Sequence, residues 1–174
     1  MMSDGSPTRS SGRLGRLTLI RAGRGGVYAE EFQSHGMVAI GWPEVGDLDG
    51  ARTREEIGSR LAAAFPHFKR MQIVSMLGQL CYFSIEIALD QFVLTYDPMA
   101  KAYLLGRVTG PYAYRPDLIA DLPHTRPVRW IRRVQRDALT RATLNSLGSI
   151  RTIFSISQAA STEILALPHQ LSKQ

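Results

Sequence analysis

Cysteine is almost absent from this chain: Cys81 is the single one in 174 residues. One thiol cannot close an internal disulfide, so the expected setting is reducing and cytoplasmic. Lysine is nearly as scarce, with only Lys69, Lys101 and Lys173 among the 21 basic residues. Metal-dependent nucleases commonly place a lysine two positions after a strand carboxylate, beside the attacking water. The residues at that spacing here are His67, Met99 and Leu171, and none is acidic. No run of about 18 apolar residues exists, so no membrane span is expected. Residues 1–16 (MMSDGSPTRSSGRLGR) lack an apolar core, and no secretion signal is expected there. His35, His67, His124 and His169 are too dispersed for metal-ligand spacing, and no Walker-type glycine loop is present. These absences point away from an enzyme and towards a binding module with neither metal nor cofactor.

What is present is arginine. The formal net charge is +6 and the pI about 9.9. Residues 126–141 (RPVRWIRRVQRDALTR) hold six arginines and one aspartate, while the acids gather between Glu30 and Glu56. Arginine presents a planar fork suited to phosphate. A stripe this dense is a candidate nucleic-acid footprint, or else a solvated strand face. By two-residue alternation Arg129 and Arg133 share one face of that strand, opposite Val128, Trp130 and Val134. An apolar share of 44% is ordinary for a globular domain.

The periodicity predicts a mixed α+β order. Leu17–Ile20 reads as a strand, followed by the turn Arg24-Gly25-Gly26 and a short helix over Val27–His35 with Gly36 past its end. Met37–Trp42 is a buried strand, and Pro43–Arg52 a loop. Thr53 and Glu56 form a capping box for a helix that stops at Pro66. A second helix is expected from Met71 to about Ile87, with Val74, Leu77, Cys81 and Ile85 inward. Met71 and Leu80 widen that stripe. Gln91–Tyr96 and Ala102–Thr109 form a hairpin across Asp97–Lys101. Gly110–Pro123 reads as a loop, Pro127–Val134 as a strand and Arg136–Arg141 as a helical turn. Ile150–Ile156 is extended, and Gln158–Leu167 a closing helix. The expected architecture is one domain over 17–168, a small, strongly bent sheet or barrel of about six strands flanked by helices. Tails are expected at 1–16 and 169–174.

Few side chains stand out for binding. Trp42 ends a strand between Gly41 and Pro43, where its ring can wall a flat pocket or pack into the core. Tyr112 and Tyr114 sit in a loop where aromatics can stack on bases. Amides of the Arg24-Gly25-Gly26 turn can hold a phosphate. Trp130, mid-strand, reads as core.

The segments LIRAGRGG, EEF, GMVAIGWPEVGDL, TREEI, GQLCYF, FVLTYDP, YLLGRVTGPYAYRPD and RPVRWI follow one another over residues 17–156. In that order they resemble the N-terminal domain of Mrr-type, modification-dependent restriction proteins. That domain is similar to the PUA-like superfamily that includes EVE and YTH domains. Leu89-Asp90-Gln91 stands where the superfamily's hairpin usually follows Gly-Asp. The resemblance implies a non-catalytic reader that holds a flipped, modified base in an aromatic pocket. Trp42 matches the first pocket tryptophan, and Tyr112 or Tyr114 the second cage aromatic. Ala22 and Gly23 would offer backbone groups to a base edge. Arg21 matches a basic residue at the end of the first strand, and Arg151 a phosphate-binding arginine. Trp130 matches a scaffold position.

The expected phosphate contacts are therefore Arg21, Arg24, Arg129, Arg133 and Arg151. The expected partner is nucleic acid, DNA favoured over RNA, with a nuclease either fused or brought by a second protein. Two other readings stay open: an RNA-binding PUA-like module, and a domain that senses a small molecule or free nucleotide.

Overall fold

The computed structural model describes residues 15–168. The tail expected at 1–16 lies outside them except for its last two residues, and that at 169–174 lies wholly outside. The strands are β1 (Thr18–Ile20), β2 (Met37–Ile40), β3 (Phe92–Asp97), β4 (Ala102–Val108), β5 (Ala113–Tyr114), β6 (His124–Gln135) and β7 (Ile153–Ser155). The helices are α1 (Ala29–Ser34), α2 (Arg54–Ala64), α3 (Arg70–Cys81), α4 (Arg141–Ser146) and α5 (Gln158–Ala166). The fold is mixed α+β, a curled half-barrel sheet with helices around it. Among the described residues no helix is long and apolar enough to cross a membrane.

The sheet runs β2-β6-β4-β3-β1-β7, with β5 joined to β6 at the side. The β3–β4 and β4–β6 pairs are antiparallel, whereas β1 runs parallel to β3. β6 makes the curl. Its first residues pair with β2, with Val38 opposite Arg126, and its later ones with β4, with Val108 opposite Val128. Each face covers its own core. Ile20, Phe32, Ile40, Leu80, Phe83, Val93 and Val128 fill one. Leu17, Leu94, Leu105, Val134, Ile156 and Ile164 fill the other.

Several local expectations are met. Glu56 N–H donates to Thr53 Oγ1 at 3.2 Å and Glu56 Oε2 accepts from Thr53 N–H at 2.9 Å, the capping box at the start of α2. Gly36, past α1, takes a φ of 58°. Asp90 takes φ 64°, a left-handed conformation that aspartate tolerates better than most residues.

Other expectations need correction. The first helix is shorter than Val27–His35: Tyr28 N–H is held by Ala22 O at 2.9 Å, and only Ala29–Ser34 is helical. The loop after Thr109 contains β5, and β6 begins at His124 rather than Pro127. On α3 the inward residues are Ile73, Met76, Leu77, Leu80 and Cys81, whereas Met71, Val74 and Ile85 are exposed. Two apolar stripes with the same period lie on this helix. Packing against α2 selects the one a residue earlier. A wide turn at Tyr82–Glu86, closed by Ile87 N–H to Tyr82 O at 2.9 Å, then rotates Phe83 and Ile87 inward.

The largest correction is in β6. Gly106 faces Trp130 while Leu105 faces Arg132, so Ile131 is an extra residue, a β-bulge. The alternation flips there. Val128 and Trp130 belong with one core and Val134 with the other. Arg129 and Arg133 therefore lie on opposite faces of the sheet, not on the same one.

Candidate functional site

The ends of β1 and β2 lead into two glycine-containing turns. After Ile20 come Arg21, Ala22 and Gly23, the last at φ 72°. A Cβ on Gly23 would sit 2.6 Å from Tyr28 Cδ2, so any other residue there would strain the backbone and displace the tyrosine ring. After Ile40 come Gly41 and Trp42. A cleft of about 560 Å³ opens here, walled by Arg21, Gly23, Arg24 and Gly25 of the first turn and by Gly41 and Trp42. Leu122, Ile150 and Thr152 complete it.

Trp42 has left-handed backbone angles, φ 66° and ψ 53°. For a bulky residue this costs about 1–2 kcal/mol and needs support from the surroundings. The Trp42 carbonyl is held from behind by His124 Nε2 at 3.2 Å. His124 is fully buried. Its Nδ1 lies 2.7 Å from the Tyr112 hydroxyl, which in turn accepts from Leu48 N–H at 3.1 Å. This arrangement assigns the protons. Tyr112 O–H donates to Nδ1, and Nε2–H donates to Trp42 O, so the imidazole is neutral. Burial pushes the His124 pKa down and that of Tyr112 up, and both shifts keep the chain of bonds uncharged.

The sequence-derived site residues divide accordingly. Trp42, Gly23, Arg21 and Arg24 meet at the cleft. Tyr112 does not line it; its ring lies against His124, in the layer that supports Trp42. Tyr114 packs on His124 from 5.6 Å and is likewise not part of the wall. Ala22 is buried, with its carbonyl accepting from Tyr28 N–H at 2.9 Å. Arg21 spends its guanidinium on the chain itself: Nε donates to Arg151 O at 3.0 Å, and an Nη donates to Ser149 O. It braces the segment that carries Ile150 and Thr152 into the cleft. Arg24 is exposed on the rim and makes no side-chain bond to another described residue. Arg151 is exposed, and its side chain lines a separate groove with Tyr82 and Phe154.

The arginine stripe at 126–141 does not form one surface. Arg126 is buried, with Nε on Gly110 O at 3.0 Å and an Nη on Phe83 O at 3.1 Å. Arg132 caps the end of α5 through Ile164 O at 2.9 Å and Leu167 O. Arg133 donates to Gln33 Oε1 at 2.7 Å and lies 3.7 Å from Asp97. Arg129 is exposed on the other face, beside Arg107. A charge count cannot distinguish these four environments. Trp130 is a scaffold residue, half-buried against the core with Nε1–H on Phe32 O at 2.8 Å.

Sequence reasoning missed His124, Gln33 and Asp97. A lone histidine at the start of a strand has no spacing to mark it, and its partners Tyr112 and Trp42 are distant in the chain. Among the described residues no group of three or more His, Cys, Asp or Glu is placed to hold a metal ion.

Residues 19–157 match the model of a family described as a domain of unknown function, DUF8426, and the chain belongs to that family. No curated protein and no solved structure matches it.

Proposed function

We propose that this DUF8426 protein is a reader of nucleic acid that takes one flipped, modified base into the Trp42 cleft and does no chemistry on it by itself. The observation that carries the reading is Trp42. A bulky ring is kept in a cleft wall on a left-handed backbone, its carbonyl held by a buried histidine that a half-buried tyrosine orients in turn. Core packing alone does not require such an arrangement. Strain of this kind concentrates where a ligand is clamped.

The energies are compatible. Extruding a base costs a few kcal/mol, least from a mismatched or single strand. Stacking on an aromatic ring returns about 1–3 kcal/mol. Arg24, on the rim with its donors unspent, is the phosphate contact. The glycine backbone at Gly23 and Gly25 lets a base edge approach the main chain. DNA is favoured over RNA through the likeness to restriction-associated readers, which also proposes a cytoplasmic protein acting with a nuclease in the same chain or a partner.

The test is a set of titrations with duplex and single-stranded oligonucleotides. They carry N6-methyladenine, 5-methylcytosine or 5-hydroxymethylcytosine, each beside its unmodified control, in DNA and RNA. Preference for one modified strand, lost in Trp42→Ala, supports the reading. Binding of the modified nucleoside monophosphate as tightly as the strand would instead favour a nucleotide sensor. That alternative draws on the dispersal of the arginine stripe, which leaves a smaller basic surface for a polymer.

A further inference from the structure

Gly25 belongs to two depressions. One is the Trp42 cleft, and the other is a larger groove of about 900 Å³ between α1 and the β3–β4 hairpin. The turn between them is seated on the hairpin. A Cβ on Gly26 would come within 2.8 Å of Pro98 Cδ and 3.0 Å of Tyr96 O, so the two depressions have a fixed relation. A strand with one base in the cleft meets the groove on crossing the turn.

The groove's chemistry differs from that of a phosphate site. Asp97 is nine-tenths buried, and its Oδ1 accepts from Met99 N–H at 3.1 Å and Ala100 N–H at 3.2 Å. Its Oδ2 has only distant partners, Gln33 Nε2 at 3.4 Å and Arg133 at 3.7 Å. Glu30 stands exposed on the same wall. Against these two acids there is one arginine, Arg133, half-exposed and braced by Gln33. Two carboxylates around one guanidinium repel a phosphate. They suit an uncharged group that offers hydrogen-bond donors beside an acceptor. Exposed Val27 and Met99 add apolar surface for a flat ring.

We propose that this groove seats the unpaired nucleobase next to the flipped one, with guanine as its preferred occupant. The proposal rests on the base-reader reading and adds sequence context to it. Guanine presents O6 and N7 acceptors for the arginine fork. Its N1–H and N2–H groups are two donors, facing Asp97 Oδ2 and Glu30. Adenine and cytosine carry one amino donor, and thymine a single ring N–H. Arg133 thus contacts a base rather than a phosphate.

The test uses the full chain and single-stranded DNA with the preferred modified base at the centre. The neighbour on each side is varied through the four bases, and affinity is read by fluorescence anisotropy. Guanine on one side is expected to tighten binding about ten-fold over thymine. Arg133→Gln and Glu30→Gln should each flatten that preference while leaving the ratio of modified to unmodified binding intact. Thermal melts close to wild type would show that both variants are folded. Trp42→Ala should do the reverse, losing the modification ratio and keeping the neighbour preference. No neighbour preference, a preference for another base, or a guanine preference unchanged in both groove variants overturns the subsite alone. Failure of every oligonucleotide to bind overturns the reader reading and the subsite with it.

Discussion

At the scale of single residues, the two tryptophans are both half-buried against the same core but are held in different ways. Trp130 is a strut whose ring packs on the core and whose indole N–H holds Phe32 O. Trp130→Ala is expected to cost about 3–5 kcal/mol, read as a large drop in melting temperature. Trp42 also packs on that core and in addition walls the cleft, so Trp42→Ala should lower the melting temperature less than Trp130→Ala does and remove discrimination between modified and unmodified bases. Its backbone offers a sharper check. At φ 66° glycine is free of the Cβ clash that alanine retains. Trp42→Gly should therefore be more stable than Trp42→Ala by about 1 kcal/mol in denaturant titrations, the reverse of the usual glycine penalty. His124 supplies a pH signature. Folded, it titrates below the ordinary value because burial disfavours the cation. Between that depressed value and the ~6.5 of an unfolded histidine, the unfolded chain binds more protons, so stability falls as pH falls. Melting temperature should decline on going from about pH 7 to about pH 5.5, and His124→Gln should flatten the decline. Glu56, Asp117 and Glu163, held below the usual carboxylate range by hydrogen bonds, contribute their own loss at lower pH still.

At the scale of elements, β6 decides the most. One extra residue, Ile131, turns the strand's later side chains over, so one strand serves two cores and its arginines are dealt to different surroundings. The bulge sits against Gly106 for a steric reason. A Cβ there would meet Val128 Cγ1 at 2.5 Å, Trp130 Cε3 at 2.8 Å and Arg129 O at 2.9 Å. Gly106→Ala is expected to destabilise by roughly 1–3 kcal/mol, since backbone and two packed side chains must all give way. A denaturant melt measures it. Hairpin and capping box were legible because each is written within a few neighbouring residues. The bulge was not, since a strict alternation of Val128, Trp130 and Val134 reads as one face until a partner strand sets the register. The inward stripe of α3 was ambiguous for a similar reason: both stripes have helical period, and only the surface beneath chooses.

For the whole molecule, charge position matters more than charge amount. Six arginines within residues 126–141 looked like one basic stripe, yet Arg126 is spent in the core, Arg132 on a helix end and Arg133 beside Asp97, while Arg129 is exposed on the opposite face from Arg133. The salt dependence of binding is therefore expected to be modest for a chain of net charge +6. Arg24→Ala should reduce its slope by about one phosphate contact. Arg129→Ala, on the face turned from the cleft, should leave it unchanged. Affinity measured across a series of salt concentrations checks both. A steep slope surviving Arg24→Ala but lost in Arg129→Ala would move the nucleic-acid track to the other side of the sheet.

Local order by itself determined the α+β class and the turn glycines. Those features depend on neighbours in the chain, where period, cap and turn chemistry operate. Tertiary structure alone decided which aromatics support and which line the cleft. Tyr112 and Tyr114 carry the same composition signal as a cage, but β6 brings His124 behind Trp42, and the tyrosines follow it inward. The pairing of Arg133 with Asp97 arises in the same way, from strand register across the sheet. A side chain's charge and type are properties of the chain. Its free valences depend on which hydrogen bonds the packed fold has already taken.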